Sequence, residues 1–186
     1  MSSSDLVRWG GIAAMLGGVV FIVLMLIPEG PIGSFSGRLG TFVFIVALVL
    51  PLAALIEFHT LQDSYGRIGR AGFYTVIVGA SAQIVAAVGR LFGSMALEFL
   101  DIVGLLGVFV GLVLYKAASL QGRVLPRWCG VGFIVAVPVF IAGSAALGWM
   151  FGGALGGILF GLLWIALGYV LWSRRGPAAE QPSRVR

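Results

Sequence analysis

The chain has 186 residues, of which 60% are hydrophobic and only 10% are charged, and its formal net charge is +5. Soluble domains carry roughly 25% charged residues because polar side chains must face water. This composition therefore excludes an ordinary soluble globule and favours a chain whose surface faces lipid. The positive charges stand singly in short segments between apolar runs, which argues against a nucleic-acid partner.

Six apolar runs follow one another along the chain. Each is close to the roughly 20 residues that a helix needs to cross the hydrocarbon layer, and a spanning segment must satisfy its own backbone hydrogen bonds. The sequence therefore predicts an all-α polytopic membrane protein, a bundle of six transmembrane helices that forms a single domain over residues 1–172. The predicted spans are 9–27, 39–58, 71–95, 97–120, 128–147 and 149–172.

The first run resembles a secretory signal only superficially. Arg8 precedes it, but the run is longer than a usual signal core and no A-x-A cleavage pattern follows. The segment PEGP at residues 28–31 indicates an ordered turn instead. We therefore interpret residues 9–27 as a retained first span.

The distribution of arginine and lysine predicts the orientation of the bundle. Ten of the 12 basic residues fall before span one, between spans two and three, between or at the join of spans four and five, or after span six. They are Arg8, Arg67, Arg70, Lys116, Arg123, Arg127, Arg174, Arg175, Arg184 and Arg186. Positive residues resist translocation, so we expect a multi-pass protein of the cell membrane with both termini in the cytoplasm. Residues 173–186 are expected to form a disordered basic cytoplasmic tail.

Two internal symmetries compete. The sequence TLQ followed by GR after span two is echoed by SLQGR after span four, as three tandem helical hairpins would require. Alternatively, Pro51 and Pro138 lie in the middle of spans two and five, which are matching positions in two inverted halves of three spans. Each proline is expected to kink its helix, and paired broken helices often mark a transporter binding site. The favoured interpretation is two unrelated kinks, because prolines are common in membrane helices.

The segment LQGRVLPRW, residues 120–128, resembles loops in uncharacterised bacterial multi-pass membrane proteins, many of them actinobacterial. The resemblance covers this loop and the six-span architecture, and it implies no known activity. Mitochondrial-type carriers also consist of three hairpins. Their P-x-[DE] signature is absent here, because Leu-Ala follows Pro51 and Val-Phe follows Pro138.

Span three carries the most polar helix face, with Gln83 and Arg90 on the same side. Glu98 and Asp101 begin the next span across a tight turn, so Arg90 is expected to pair with one of them. In one interpretation this ion pair locks the hairpin at the membrane interface. In the other, Arg90, Gln83, Glu98 and Asp101 line a vestibule for a polar or anionic ligand.

Glycines recur at intervals of four in span six, at Gly153, Gly157 and Gly161. Small residues at this spacing let helix backbones approach closely, which matters because lipid supplies no hydrophobic drive between helices. The ridge is expected either to pack against another span of the same chain or to form a homo-oligomer contact through the last span.

The sequence contains no catalytic, metal or nucleotide motif, and it predicts no cofactor. His59, the single histidine, is expected to be a solvated residue at the membrane interface, and the single cysteine, Cys129, excludes an internal disulfide. A proton antiporter is disfavoured because no carboxylate lies at mid-bilayer. The favoured function is binding or transport of a small molecule or lipid. The alternative is a non-enzymatic accessory or structural subunit of a membrane complex, and a membrane enzyme is the least favoured class.

Overall fold

The computed structural model describes residues 3–27, 30–31, 34–60, 66–121, 127–148 and 153–173. Within these ranges the chain is helical, as the sequence predicts. The six helices are α1 (Ser3–Leu26), α2 (Phe35–Thr60), α3 (Gly66–Leu91), α4 (Phe99–Gln121), α5 (Arg127–Gly148) and α6 (Ala154–Ser173). The predicted tail from residue 174 onward, and residues 122–126 of the loop that carries the bacterial resemblance, lie outside the described residues.

Five helices, α1 to α4 and α6, are long and apolar enough to cross a membrane. In α5 the apolar stretch within the described residues is Gly130–Gly143, which is shorter than a full span. The prediction of a helical bundle built from membrane-length segments is therefore confirmed.

The turn between α3 and α4 is longer than the sequence predicts. The third helix ends at Leu91 and not at residue 95, and the fourth begins at Phe99 and not at residue 97. The N–H of Gly93 donates to the carbonyl of Arg90, and the N–H of Ser94 donates to the carbonyl of Gly89, both at 2.9 Å. Gly93 has a φ of 76°, so these bonds form the left-handed glycine cap that commonly ends a helix.

The second helix begins earlier than predicted, at Phe35 rather than at residue 39. Ser34 explains the difference, because its hydroxyl accepts a hydrogen bond of 3.1 Å from the N–H of Gly37. A serine that accepts from a first-turn N–H is a strong helix start. Arg38, expected in the loop, therefore lies in the first turns of α2.

The helices form a closed ring in which each contacts its neighbours in the chain and α6 packs back against α1. The contacts of α3 with α4 and of α1 with α6 are the most extensive, followed by those of α1 with α2. Contacts between α2 and α3, between α4 and α5 and between α5 and α6 are much sparser. The bundle thus consists of an α1/α2/α6 group and an α3/α4 pair, with α5 loosely between them.

Glycines spaced seven residues apart hold both of the tightest helix pairs together. They face each other across antiparallel contacts, so that an added Cβ would strike the backbone of the partner helix. The opposing pairs are Gly11 with Gly168, Gly18 with Gly161, Gly72 with Gly111, and Gly79 with Gly104. At Gly79, for example, a Cβ would lie 2.7 Å from the carbonyl oxygen of Gly104. Close backbone approach of this kind replaces the hydrophobic drive that lipid cannot supply.

The glycine ridge of the last span packs inside the chain. Gly153, Gly157 and Gly161 are buried. A Cβ added at Gly157 would lie 2.6 Å from Cγ of Met25, and one added at Gly161 would lie 2.6 Å from Cγ1 of Ile22, both on α1. Because α1 covers this ridge, a homo-oligomer through α6, which stays a prediction, would have to use other residues of that helix.

Candidate functional site

The bundle has two polar ends, which we name after their buried or half-buried cations. The Lys116 end is where α1, α3 and α5 begin and α2, α4 and α6 finish. The Arg90 end is the opposite one. The sequence places Lys116 at the join of spans four and five and counts it with the cytoplasmic charges. In the structure it lies within α4, which continues to Gln121, and it is 0% exposed.

Lys116 lies in a cage of aromatic rings. Its Nζ is 4.6 Å from the ring centre of Phe133, 5.4 Å from that of Phe58, 5.8 Å from that of Tyr115 and 5.9 Å from that of Trp164. The four rings, which we call the Lys116 cage, come from α2, α4, α5 and α6. A cation within about 6 Å of an aromatic face is attracted by the quadrupole of the ring. The Lys116 side chain of α4 therefore contacts three other helices, α2, α5 and α6.

The last turn of α2 adds two more ionisable groups beside this cage. The carboxyl group of Glu57 lies against the backbone of Gly10 on α1. The ring of His59 stacks on that of Phe73 of α3, with centres 3.9 Å apart and planes 7° apart, and it lies 6.2 Å from the ring of Tyr115. His59 is therefore half-buried at the end of α2, and one face of its ring is a packing surface between α2 and α3, which the sequence does not predict.

At the Arg90 end, Arg90 pairs with the second of the two expected acids. Its Nη2 is 3.2 Å from Oδ2 of Asp101, and the two side chains are 26% and 28% exposed. The guanidinium of Arg90 also lies over the ring of Phe44 on α2, 5.8 Å from its centre. This half-buried ion pair therefore joins α3 to α4 and touches α2.

The other two residues of the predicted vestibule lie elsewhere. Glu98 is exposed in the turn before α4. Gln83 is 5% exposed, and its Cγ packs toward Gly104 in the α3/α4 contact. It lies seven residues from Arg90, which is about 10 Å along a helix. Arg90 and Asp101 are thus in contact. Glu98 lies one turn before Asp101, whose N–H donates to the carbonyl of Glu98 at 3.0 Å, but its side chain is exposed, and Gln83 lies away from the pair.

Between the two polar ends lies a small apolar cavity of about 30 Å³. Side chains from α1, α2, α3, α4 and α6 line it. They are Phe21, Ala47, Leu48, Pro51, Leu52, Leu55, Val76, Ala80, Val108, Leu112, Phe160 and Trp164. The cavity therefore lies where the α1/α2/α6 group meets the α3/α4 pair.

The two prolines of the inverted-repeat hypothesis have different environments. Pro51 is buried, lines the cavity and packs against Gly17 of α1. Pro138 is exposed on α5. Both helices continue through their prolines. Pro51 therefore lies beside the cavity, and Pro138 does not. The helix kinks at the two prolines stay a prediction.

Lys116 and its cage are the part of this site that sequence reasoning missed. A signal was present, because the predicted fourth span, 97–120, already contains position 116. The positive-inside rule groups Lys116 with the loop charges, although the predicted length of the fourth helix already places this residue inside the span.

The described residues contain no group of three or more histidine, cysteine, aspartate or glutamate side chains that could hold a metal ion. What they form is an apolar interior with a buried lysine toward one end and a half-buried arginine toward the other. Comparisons with protein-family models, curated proteins and solved structures found no match.

Proposed function

We propose that this chain binds a small apolar or amphipathic molecule, including a lipid, between the α1/α2/α6 group and the α3/α4 pair, and moves it across the membrane. The observation that carries the proposal is the apolar cavity at the junction of these two parts. Contacts of Lys116 with Phe58 and Trp164, and of Arg90 with Phe44, cross the same junction toward its two ends. Apolar walls with few polar groups are typical of small-molecule sites.

The packing supports a movement of the two parts against each other. Within the α1/α6 and α3/α4 pairs the helices touch backbone to backbone at glycines, so a sliding movement would break these contacts, and α2 packs on α1 through Pro51 at Gly17. Between the parts the helix contacts are sparse. The links there include the stacked rings of His59 and Phe73 and the contact of Arg90 with Phe44. The sparse junction is therefore where opening costs least.

The size of the cavity makes this movement necessary. Ligand sites for drug-sized molecules occupy about 300–1,000 Å³, whereas the cavity has about 30 Å³. The observed arrangement is therefore the closed one in this proposal. Trp164 lines the cavity, and its indole N–H is buried with no hydrogen-bond acceptor among the described residues, so it offers a polar contact to a ligand.

Native mass spectrometry of the gently extracted full chain, with bound molecules released and identified, tests the proposal. We expect a retained small molecule or lipid that the cavity-filling variant Ala47→Leu loses. Ala47 is 1% exposed and lines the cavity. Ala53→Leu on the same helix is the matched control, because Ala53 is exposed. Equal retention by both variants would contradict a ligand in the central cavity.

The same proposal includes the location of the protein. Membrane-length helices support a membrane protein, and the arginines at the Lys116 end support a cytoplasmic location for that end in the cell membrane. Labelling of single cysteines at Arg8 and Arg38 with an impermeant reagent tests the orientation. We expect Arg38→Cys, and not Arg8→Cys, to react from outside the cell, in a Cys129→Ala background.

The small size of the cavity also favours a second candidate, an accessory or structural subunit of a membrane complex. A subunit of this kind needs a closed apolar core and no ligand. In the mass spectra it would appear as ligand-free protein, with a partner chain bound in fixed stoichiometry.

A further inference from the structure

A groove of about 330 Å³ runs along the outer surface of the α3/α4 pair. It is lined by Tyr74, Thr75, Val78, Gly79, Ala82, Val103, Gly104 and Gly107. The small residues at the helix contact leave a recess. Tyr74, Val78 and Val103, which are 61%, 69% and 58% exposed, stand at its sides.

This groove is separate from the central cavity, with which it shares no lining residue. It lies within the membrane-length segments Gly66–Leu91 and Phe99–Ala118 and opens away from the bundle interior. Its surroundings are then lipid, and its walls are almost entirely apolar. The chemistry of the groove therefore suits a hydrocarbon chain.

Two arginines lie on the same side of α3, just before the groove begins. Arg70 is four residues and Arg67 seven residues before Tyr74, and both are exposed. These intervals bring residues back to one helix face, roughly 6 and 10 Å further along the axis. Helical side chains lean toward the N-terminus of their helix, so both guanidinium groups extend away from the groove toward the membrane surface.

We propose that the groove and the two arginines together bind an anionic phospholipid. One acyl chain lies along Tyr74, Val78 and Ala82, while the phosphate group is held by Arg67 and Arg70. Guanidinium groups bind phosphate through two parallel hydrogen bonds, and juxtamembrane basic residues favour lipids with net negative charge. The site does not depend on the central cavity, so it goes beyond the proposed function and stands or falls separately from it.

Native mass spectrometry with defined lipids tests this site. Purified full-length protein is loaded with phosphatidylglycerol and phosphatidylcholine of identical acyl chains at equal concentration. We expect phosphatidylglycerol to bind more tightly, and R67Q/R70Q to lower its affinity on the order of 10- to 30-fold and abolish the preference. The matched double variant R8Q/R38Q removes the same charge from two other exposed arginines, and it should leave the preference unchanged.

Variants of the groove test the acyl chain. A82F should lower the affinity for both lipids, because a ring there fills the recess. V78W should act in the same direction without touching the α3/α4 contact, since Val78 is 69% exposed. R67K/R70K should keep the preference for phosphatidylglycerol, because the charges remain.

Four results would overturn the proposal. One is equal binding of the two lipids by the unmodified protein. Another is an equal loss of phosphatidylglycerol in R8Q/R38Q and R67Q/R70Q, which would indicate diffuse attraction by net charge. The third is unchanged lipid binding by a folded V78W variant. The fourth is a homodimer that V78W dissociates, since a second copy would then occupy the groove.

Discussion

Lys116 is the residue whose environment departs most from ordinary expectation. A charged side chain inside a membrane bundle is costly and is normally paired or placed for function. Here the ammonium group has 0% exposure and four aromatic rings within 6 Å, contributed by four helices. Burial of the ammonium group is unfavourable because it removes the charge from water. Its contacts with the four rings are favourable and join α4 to three other helices at the Lys116 end.

The contribution of the Lys116 charge can be separated from that of its volume. We expect Lys116→Met to lower the free energy of unfolding by about 1–2 kcal/mol, since the chain length is kept and the cation–π attraction is lost. Lys116→Ala should lower it by roughly 2 kcal/mol more, because a cavity is left in a packed core. Reversible unfolding in mixed micelles measures both. A Lys116→Met variant as stable as the unmodified chain would show that the charge adds no net stability.

Arg90 and Asp101 allow a test of the ion pair at the other end. Removing one partner of a partly buried pair leaves the other charge uncompensated. About a quarter of each side chain is exposed. We therefore expect Arg90→Met to lower the free energy of unfolding, measured in mixed micelles, by about 1–2 kcal/mol, which lies between the values for surface and buried ion pairs.

The double variant Arg90→Met/Asp101→Asn should recover most of that loss, because no charge is then stranded. Glu98→Gln provides the control, since Glu98 is exposed and should change stability little. Additive losses in the double variant would mean that the two side chains do not interact.

At the scale of the helices, the seven-residue glycine pairs decide which elements belong together. Gly72 and Gly79 of α3 face Gly111 and Gly104 of α4, and the same arrangement recurs between α1 and α6. Four of the six helices are thus paired by their backbones, and one of these pairs joins the first and last helices of the chain. This pairing explains why α6 packs more extensively on α1 than on its chain neighbour α5.

A single methyl group on such a glycine should separate the helices. At Gly79 an added Cβ would lie 2.7 Å from both the carbonyl oxygen of Gly104 and the backbone nitrogen of Val108. Because these are backbone atoms, no side-chain rotation relieves the clash. We expect Gly79→Ala to lower the free energy of unfolding by roughly 1–3 kcal/mol, as overpacking usually does.

Gly40 is the matched control for this substitution. It lies within α2, and a Cβ there meets nothing within 4 Å. Gly40→Ala should be neutral or stabilising by up to about 1 kcal/mol, because alanine favours helix over glycine. Thermal unfolding in one detergent compares the two variants. If Gly79→Ala were as stable as Gly40→Ala, the glycine contact would not determine the α3/α4 packing.

At the scale of the whole molecule, the sequence predicts the helices better than their arrangement. Six runs of membrane length follow from apolar composition alone. The ring order does not, because lipid-facing and buried positions are both apolar and leave little periodic contrast between helix faces. The glycines spaced seven residues apart are present in the sequence. The four-residue glycine spacing in span six, however, predicts a packing ridge without indicating that α1 is the helix it contacts. The burial of Lys116 depends on rings from three other helices, which no local pattern encodes, whereas the turn at Gly93 is a local glycine cap.

The arrangement of the ring leads to a prediction about motion. If the α1/α2/α6 group and the α3/α4 pair open alternately, weakening the contacts at one end should open that end alone. Spin labels on exposed residues can report this in a Cys129→Ala background. Trp9 with Ile68 spans the junction at the Lys116 end, and Phe35 with Phe99 spans it at the Arg90 end, all of them at least 58% exposed.

We expect Lys116→Met to add a longer distance between Trp9 and Ile68 while the pair at the Arg90 end stays unchanged, with Arg90→Met giving the reverse. The contacts that cross the junction are those of Lys116 with Phe58 and Trp164 at one end and of Arg90 with Phe44 at the other. Loss of about 1–2 kcal/mol in such cation–π contacts shifts the equilibrium between closed and open forms by roughly 5- to 30-fold, enough to populate a minor state visibly. Labels at Trp9 and Trp172 should not respond, because α1 and α6 are joined by glycines. If electron–electron double resonance in nanodiscs gave one unchanged distance for every pair in both variants, the bundle would be a static body. That result would favour the accessory subunit over the transporter, since a cavity of about 30 Å³ admits no ligand unless the helices move.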